Sequence, residues 1–258
     1  MPARTARRSR ANPSGIHHLH CTPVLRAIMR SADLCPADHV FDLGAGPGTL
    51  TAALARTGAT VTAVERDPRF VHDLQRRFGR FGHVRVVAAD LRSVQIPRRA
   101  KVVANLPFAT SGALVAKLLD PPGRPRAGID LLVEHGFAIR LSARLPRSAR
   151  AAWWTARYDL RIVRVVPRTA FAPAPNVSAA LLRIRAREPL QADAERRLRQ
   201  LLAAVYDAPS RRATTIARRF AGRRAGPLIL RDAGVDPNAA AAQVAPPVWA
   251  AVARGPDR

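Results

Sequence analysis

The chain has 258 residues, 48% of them hydrophobic, which is enough for a sizeable core and excludes global disorder. Its 43 basic residues outnumber 18 acidic ones for a formal net charge of +25, and every cation except Lys101 and Lys117 is arginine, the side chain suited to bidentate phosphate contact. Nucleic acid is therefore the leading partner class and a membrane surface the weaker one.

Residues 1–13, with Arg4, Arg7, Arg8 and Arg10, read as a basic flexible arm. The segment lacks the apolar h-region of a signal peptide. No stretch approaches the roughly 20 apolar residues of a membrane span. Cys21 and Cys35 form no CxxC pair, so a reducing, cytoplasmic compartment is expected. His17, His18, His20 and Cys21 could be taken for zinc ligands. Cys35 is the only obvious distant partner, however, and no metal is expected.

From residue 39 onward β-branched runs alternate with helical stretches, the pattern of a parallel sheet covered on both faces. HVFDLGAG is a strand entering a glycine turn, followed by helix TLTAALART. TVTAVERD is the next strand, and a helix opens at Pro68 and runs to Phe78. VRVVAAD and KVVANLPF repeat the strand pattern, SGALVAKLL is helical, and IDLLVEHG is a strand leading into helix FAIRLSARL. LRIVRVV and ALLRIRA are expected to pair as an antiparallel hairpin at the sheet edge. Trp153 and Trp154, beside Arg150 and Arg157, either stack on RNA or pack in the core. Beyond Arg187 the periodicity becomes helical, with Leu198, Leu201, Leu202 and Val205 at i, i+3, i+4 and i+7. SRRATTIARRF reads as a second basic helix, and residues 190–252 as a small helical domain.

Three successive strand ends carry chemistry. DLGAGPG lets a ligand approach bare backbone, although it departs from the dinucleotide fingerprint because Gly48 precedes the position where a third glycine would stand. Glu65 follows Gly44 by 21 residues, the spacing at which a carboxylate reaches ribose hydroxyls. Asp90 ends the third strand, where an acid could accept from an adenine amino group. Together they describe a nucleoside site.

DLGAGPG, AVERD, AADL and NLPF, in this order and spacing, resemble the cofactor and catalytic motifs of S-adenosylmethionine-dependent adenine-N6 methyltransferases of ribosomal RNA. VEHGFAIRL at 133–141 and FAPAPNVSAALLRI at 171–184 are similar to the Erm family, which modifies large-subunit (23S) rRNA and confers resistance to macrolides, lincosamides and streptogramin B. The resemblance implies an α/β fold: a Rossmann-like class I methyltransferase sheet over 14–187, a C-terminal helical RNA-binding domain over 190–252, and a tail at 253–258. It further implies a cytoplasmic monomer acting on rRNA before full ribosome assembly. It assigns the cofactor to His17, Leu19, Gly44, Ala45, Gly46, Glu65, Arg66, Asp90, Leu91 and Asn105. Where the family has a glutamine and a phenylalanine in its N-terminal lid, this chain has Ile16 and His18.

The NLPF stretch fits this chemistry. Adenine's exocyclic nitrogen is a poor nucleophile because its lone pair is delocalised into the ring. If the Asn105 side-chain carbonyl and the Leu106 main-chain carbonyl accept its two hydrogens, the lone pair is directed outward and developing positive charge is stabilised. Pro107 stiffens the turn, and Phe108 offers a face to a flipped base. Phe171 either closes the other side of that base or belongs to the core. Glu134 is expected to cap a helix rather than act as a base. Arg140, Arg211, Arg212, Arg218 and Arg219 are expected to meet RNA phosphates. The rival readings are a small-subunit rRNA dimethyltransferase of the same fold and a non-catalytic RNA-binding or transcription-associated protein.

Overall fold

The computed structural model describes residues 17–123 and 128–255; the basic arm expected over 1–13, the lid residue Ile16 and residues 256–258 lie outside them. The chain begins with a two-residue strand, β1 (His18–Leu19), and helix α1 (Thr22–Ala32). Five parallel strands and their helices follow: β2 (His39–Leu43), α2 (Thr49–Ala55), β3 (Thr60–Glu65), α3 (Pro68–Phe78), β4 (Val84–Ala88), β5 (Lys101–Asn105), α4 (Ser111–Leu119), β6 (Gly128–Glu134) and α5 (His135–Leu141). Then come α6 (Ala149–Arg157), β7 (Tyr158–Val166), β8 (Phe171–Ala172) and β9 (Ala179–Ala186), and the helices α7 (Ala192–Asp207), α8 (Ala213–Ala221), α9 (Ala225–Asp232) and α10 (Pro246–Arg254).

The main sheet has seven strands in the order β4-β3-β2-β5-β6-β9-β7. Strands β2 to β6 run parallel, and β9 is antiparallel to both β6 and β7. Period-2 alternation divides the strands between two buried faces. Val40, Val61, Val103 and Leu132 meet α1 and α2 on one side. Phe41, Leu43, Val102, Ala104, Ile129 and Leu131 share the other side's cluster with α4 and residues of α6, α7, α8 and α10.

The predicted β7–β9 pairing forms, with β7 as one edge of the sheet and β9 lying inside it against β6. Burial explains the order: residues 179–182 of β9 are buried on both faces, whereas Arg161 and Arg164 of β7 are exposed. Trp153 and Trp154 pack in the core, their indole nitrogens donating to the Asp120 main-chain carbonyl at 3.3 Å and carboxylate at 2.8 Å. Helix α5 stops at Leu141, short of the expected Leu145, and Ser142 donates back to the Ala138 carbonyl at 2.9 Å. Glu134 occupies the N-cap position of α5, yet its side chain makes no capping hydrogen bond. Asp67 does cap, accepting from Arg69 N ahead of Pro68 at the start of α3.

Candidate active site

Because β2 to β5 run parallel and in register, their C-terminal ends meet at one edge of the sheet, where α/β folds bind ligands. A cleft of about 660 Å³ lies there. It is lined by the glycine turn at 44–46, by Glu65 and Arg66 after β3, by Asp90 and Leu91 after β4, and by Asn105, Leu106 and Pro107 after β5. His17 and Leu19 close it from the N-terminal side. Phe108, Phe171, Arg140, Arg211, Arg212, Arg218 and Arg219 are not part of this lining.

The glycine turn is held by its acid. Glu65 Oε2 accepts from Gly46 N at 2.8 Å, and Oε1 accepts from Arg66 N and Asp67 N at 2.8 and 2.9 Å. A carboxylate offers about four acceptor sites, so capacity for a hydroxyl donor remains. Gly46 has φ +51°, and a Cβ there would stand 3.3 Å from His18 Nδ1. His18 thus lies directly over the turn, edge-on to Phe70 with ring centroids 5.4 Å apart. Burial lowers its pKa from the ordinary histidine value, against an opposing pull from Glu65.

Asp90 faces the cleft through a guanidinium. Arg92 donates from Nε and a terminal nitrogen to its two oxygens at 2.7–3.2 Å, its main-chain N–H adds another bond at 2.8 Å, and Arg66 stands 3.8 Å away. These bonds, the Arg92 side chain first, hold the carboxyl well below the usual range. An adenine amino group reaching Asp90 must therefore share it with Arg92.

At the other end, Asn105 Nδ2 donates to the His17 carbonyl at 2.7 Å. That bond fixes the amide's donor end and leaves Oδ1 as the free acceptor. His17 is itself fixed, with Nδ1 donating to the Pro173 carbonyl at 2.7 Å, and its neighbours His18 and Leu19 pair with Ala172 and Phe171 in the β1–β8 ribbon. The Leu106 N–H is committed to Leu132 O at 3.1 Å, and among the described residues no donor is recorded at the Leu106 carbonyl. Phe108 is half-buried, its ring 5.6 Å from that of His17 at a 44° tilt. Phe171 takes the core alternative: it is 3% exposed among Leu19, Val24 and Ile28, because its strand register turns the ring inward. Arg140 lies over Phe137, and the four arginines flanking and ending α8 are exposed.

Sequence reasoning missed Asp42. It is 1% exposed on the cleft wall; Oδ2 accepts from Thr51 Oγ1 at 2.6 Å, and Oδ1 has no partner. Burial, reinforced by nearby Glu65, pushes its carboxyl up to about 7. An orphaned acceptor in a cleft wall calls for a cationic or N–H donor from a ligand. The ammonium of an amino-acid moiety fits that demand, while Glu65 and Asp90 offer acceptors to a nucleoside. The available signal was the acid immediately before the glycine turn in DLG. Among the described residues, no three His, Cys, Asp or Glu side chains stand together to hold a metal ion, and no helix is long and apolar enough to cross a membrane.

The chain is similar to proteins that are already known. An rRNA adenine N-6-methyltransferase of Bacillus licheniformis is 30% identical over 174 residues, 67% of this chain but only 61% of the relative. The ribosomal RNA small subunit methyltransferase A of Phenylobacterium zucineum is 34% identical over 244 residues, covering 90% of this chain and 82% of the relative. The crystal structure of the 23S rRNA methyltransferase ErmE superposes with a TM-score of 0.76 at 26% identity, covering 91% of this chain and 97% of that one. The model of the ribosomal RNA adenine dimethylase family matches residues 9–249, nearly the whole length described, and the chain belongs to that family.

Proposed function

We propose that this chain transfers a methyl group from S-adenosylmethionine to N6 of a specific adenine in 23S rRNA, giving resistance to macrolide-type antibiotics. The observation that carries the reading is the Asn105 amide, turned by the His17 carbonyl so that its oxygen remains free beside the Leu106 carbonyl. Those two oxygens accept the hydrogens of the adenine amine, and their dipoles stabilise the charge that develops on nitrogen. Phe108 stacks on the extruded base, and the proton leaves later to water. The cofactor supplies an electrophilic methyl on sulfur. Asp42 receives its ammonium, Glu65 its ribose and Asp90 its adenine amino group, with the glycine turn against the backbone between them. Residues 14–187 form the catalytic domain and residues 190–252 the helical domain that helps hold RNA, aided by the N-terminal arm. The protein works in the cytoplasm as a monomer, on RNA not yet fully assembled into ribosomes.

The large-subunit target is supported by the likeness to ErmE across nearly all of that chain and by the VEHGFAIRL and FAPAPNVSAALLRI segments. The small-subunit alternative is favoured by the Phenylobacterium relative, whose match extends over most of the helical region. Incubating the protein with labelled cofactor and protein-free 23S and 16S rRNA, then mapping the modified adenine by primer extension, separates the two. Label in 16S alone would refute the large-subunit assignment, and label in neither would refute the activity.

A further inference from the structure

A second groove, of about 450 Å³, lies between α1 and the outer strands β7 and β9, where Arg30, Arg164 and Arg183 surround Ala27 and Val163. It is separated from the cleft mainly across the sheet, since Arg164 shares a register row with Leu181, Leu132 and Asn105, while Arg30 sits in the last turn of α1. The C-terminus of α1 is anchored at the start of β5, where Lys101 Nζ donates to the Asp33 carbonyl at 2.8 Å, whereas the cleft occupies the strands' other ends.

A β-bulge brings one of the arginines there. Up to Ile162 the ladder is regular, with Arg161 opposite Arg183 and Ile162 opposite Leu182; the next pair is Arg164 with Leu181, and Val163 is skipped. Leu181, Ala179 and Val166 face α1, whereas Leu182, Ala180 and Ile162 face the opposite layer. In an unbroken ladder Val163 would stand opposite Leu181 and Arg164 would point to the opposite layer. The extra residue rotates Arg164 onto the α1 face beside Arg183. Among the described residues Arg30, Arg164 and Arg183 form no ion pair, although Asp130, opposite Arg183 in the β6–β9 ladder, feels its charge. The neighbouring acids are committed elsewhere: Asp130 is buried and bonded to Ser31 and to Arg185 at 2.8 Å, and Asp159 holds Arg161 at 2.6 Å. Cations on an edge strand also discourage strand addition, but that role needs neither Arg183 on an interior strand nor Arg30 on a helix.

We propose that this groove binds backbone phosphates of the rRNA substrate, as an anchoring site separate from the cleft that receives the target adenine. The proposal rests on the reading of the chain as an rRNA-modifying enzyme. Strand β7 stands three strands from β5, about 14 Å across the sheet at the usual spacing, so an RNA must extend beyond the target adenine to reach both sites.

The test uses the full chain with Arg30→Gln, Arg164→Gln and Arg183→Gln combined, the Arg30→Gln/Arg164→Gln pair in case the triple variant misfolds, and a triple lysine variant. Binding to a long 23S fragment and to a minimal hairpin is followed by anisotropy from 50 to 200 mM KCl, with S-adenosylhomocysteine binding as the check on folding. Losing three phosphate contacts lowers the slope of log affinity against log salt by about 2 to 3. For the long RNA, the affinity lost across that salt range then shrinks by about 20- to 40-fold. Lysine retains the slope, and the hairpin is little affected. An unchanged slope on long RNA overturns the proposal, as does equal impairment on the hairpin, which would reduce the effect to net charge. Unchanged binding to protein-free RNA with weaker binding to intact subunits would assign the groove to a ribosomal protein and likewise overturn it. Because the slope requires no turnover, a missing methyl product with the slope difference intact counts against the enzymatic reading alone.

Discussion

Replacing Asp42 with asparagine separates what the cleft wall costs the fold from what it offers a ligand. Asp42 is buried with one oxygen unpartnered, and its carboxyl rises from 3.8 to about 7, chiefly through loss of solvation. The folded state thus holds the proton more tightly than the unfolded chain. This contribution is fully present below pH 3.8, declines as the unfolded state ionises, and is gone above pH 7. The whole span is worth about 4 kcal/mol, and about 3 kcal/mol of it falls between pH 5 and 8. The Asp42→Asn variant keeps an acceptor for the Thr51 hydroxyl and cannot ionise there, so its stability relative to the parent should grow by about that amount over this interval. Urea unfolding at several pH values measures the difference, and contributions from titrating groups that do not interact with Asp42 cancel between the two proteins. The same substitution should weaken S-adenosylmethionine by about 10- to 100-fold at pH 8 in calorimetry, since a charged hydrogen-bond partner is lost. A stability difference independent of pH would refute the reasoning, and so would unchanged cofactor affinity for the proposed ammonium contact.

Asn105→Ala should lower kcat by about 100- to 1000-fold, the scale for losing a preorganised transition-state contact, while cofactor affinity changes only a few-fold; near-normal turnover would remove Asn105 from the mechanism. His17→Ala removes the anchor on Pro173 that sets the Asn105 amide, and a loss of about 3- to 10-fold in kcat is expected from one hydrogen bond. Gly48→Ala forces a side chain into φ +79° with its Cβ 2.7 Å from Leu74 Cδ2, a cost of about 3 kcal/mol and a melting point lower by roughly 10 °C. Arg157→Ala strands Glu195 in the junction between α6 and α7, where the pair is buried at 3.3 Å. A loss of about 3–5 kcal/mol in chemical denaturation is expected, with S-adenosylhomocysteine affinity preserved.

Local physics made most of the sheet legible. The boundaries of α3 and α4 follow from Pro68 and the apolar spacing of SGALVAKLL, and the alternation of the parallel strands follows from burial on two faces. The order of GxG, Glu65, Asp90 and NLPF located a single cleft because parallel strands bring consecutive C-terminal ends to one edge. Helix α1 and the β1–β8 ribbon were not anticipated. The ribbon strands are two residues each, too short for any periodicity to register, and their pairing joins positions more than 150 residues apart.

The composition and motif order of the chain by themselves determined a basic α/β protein with its polar motifs gathered at one sheet edge, since those properties reside in side-chain identity and in repeats a few residues long. Tertiary structure alone decided which acceptors in the cleft are free: His17 occupies the donor end of Asn105, Arg92 covers Asp90, and Asp42 lacks a partner on one oxygen. It also decided that Phe171 is core and that Arg164 joins Arg30 and Arg183. Those outcomes depend on strand register and long-range packing, where a shift of one residue turns a side chain to the opposite face.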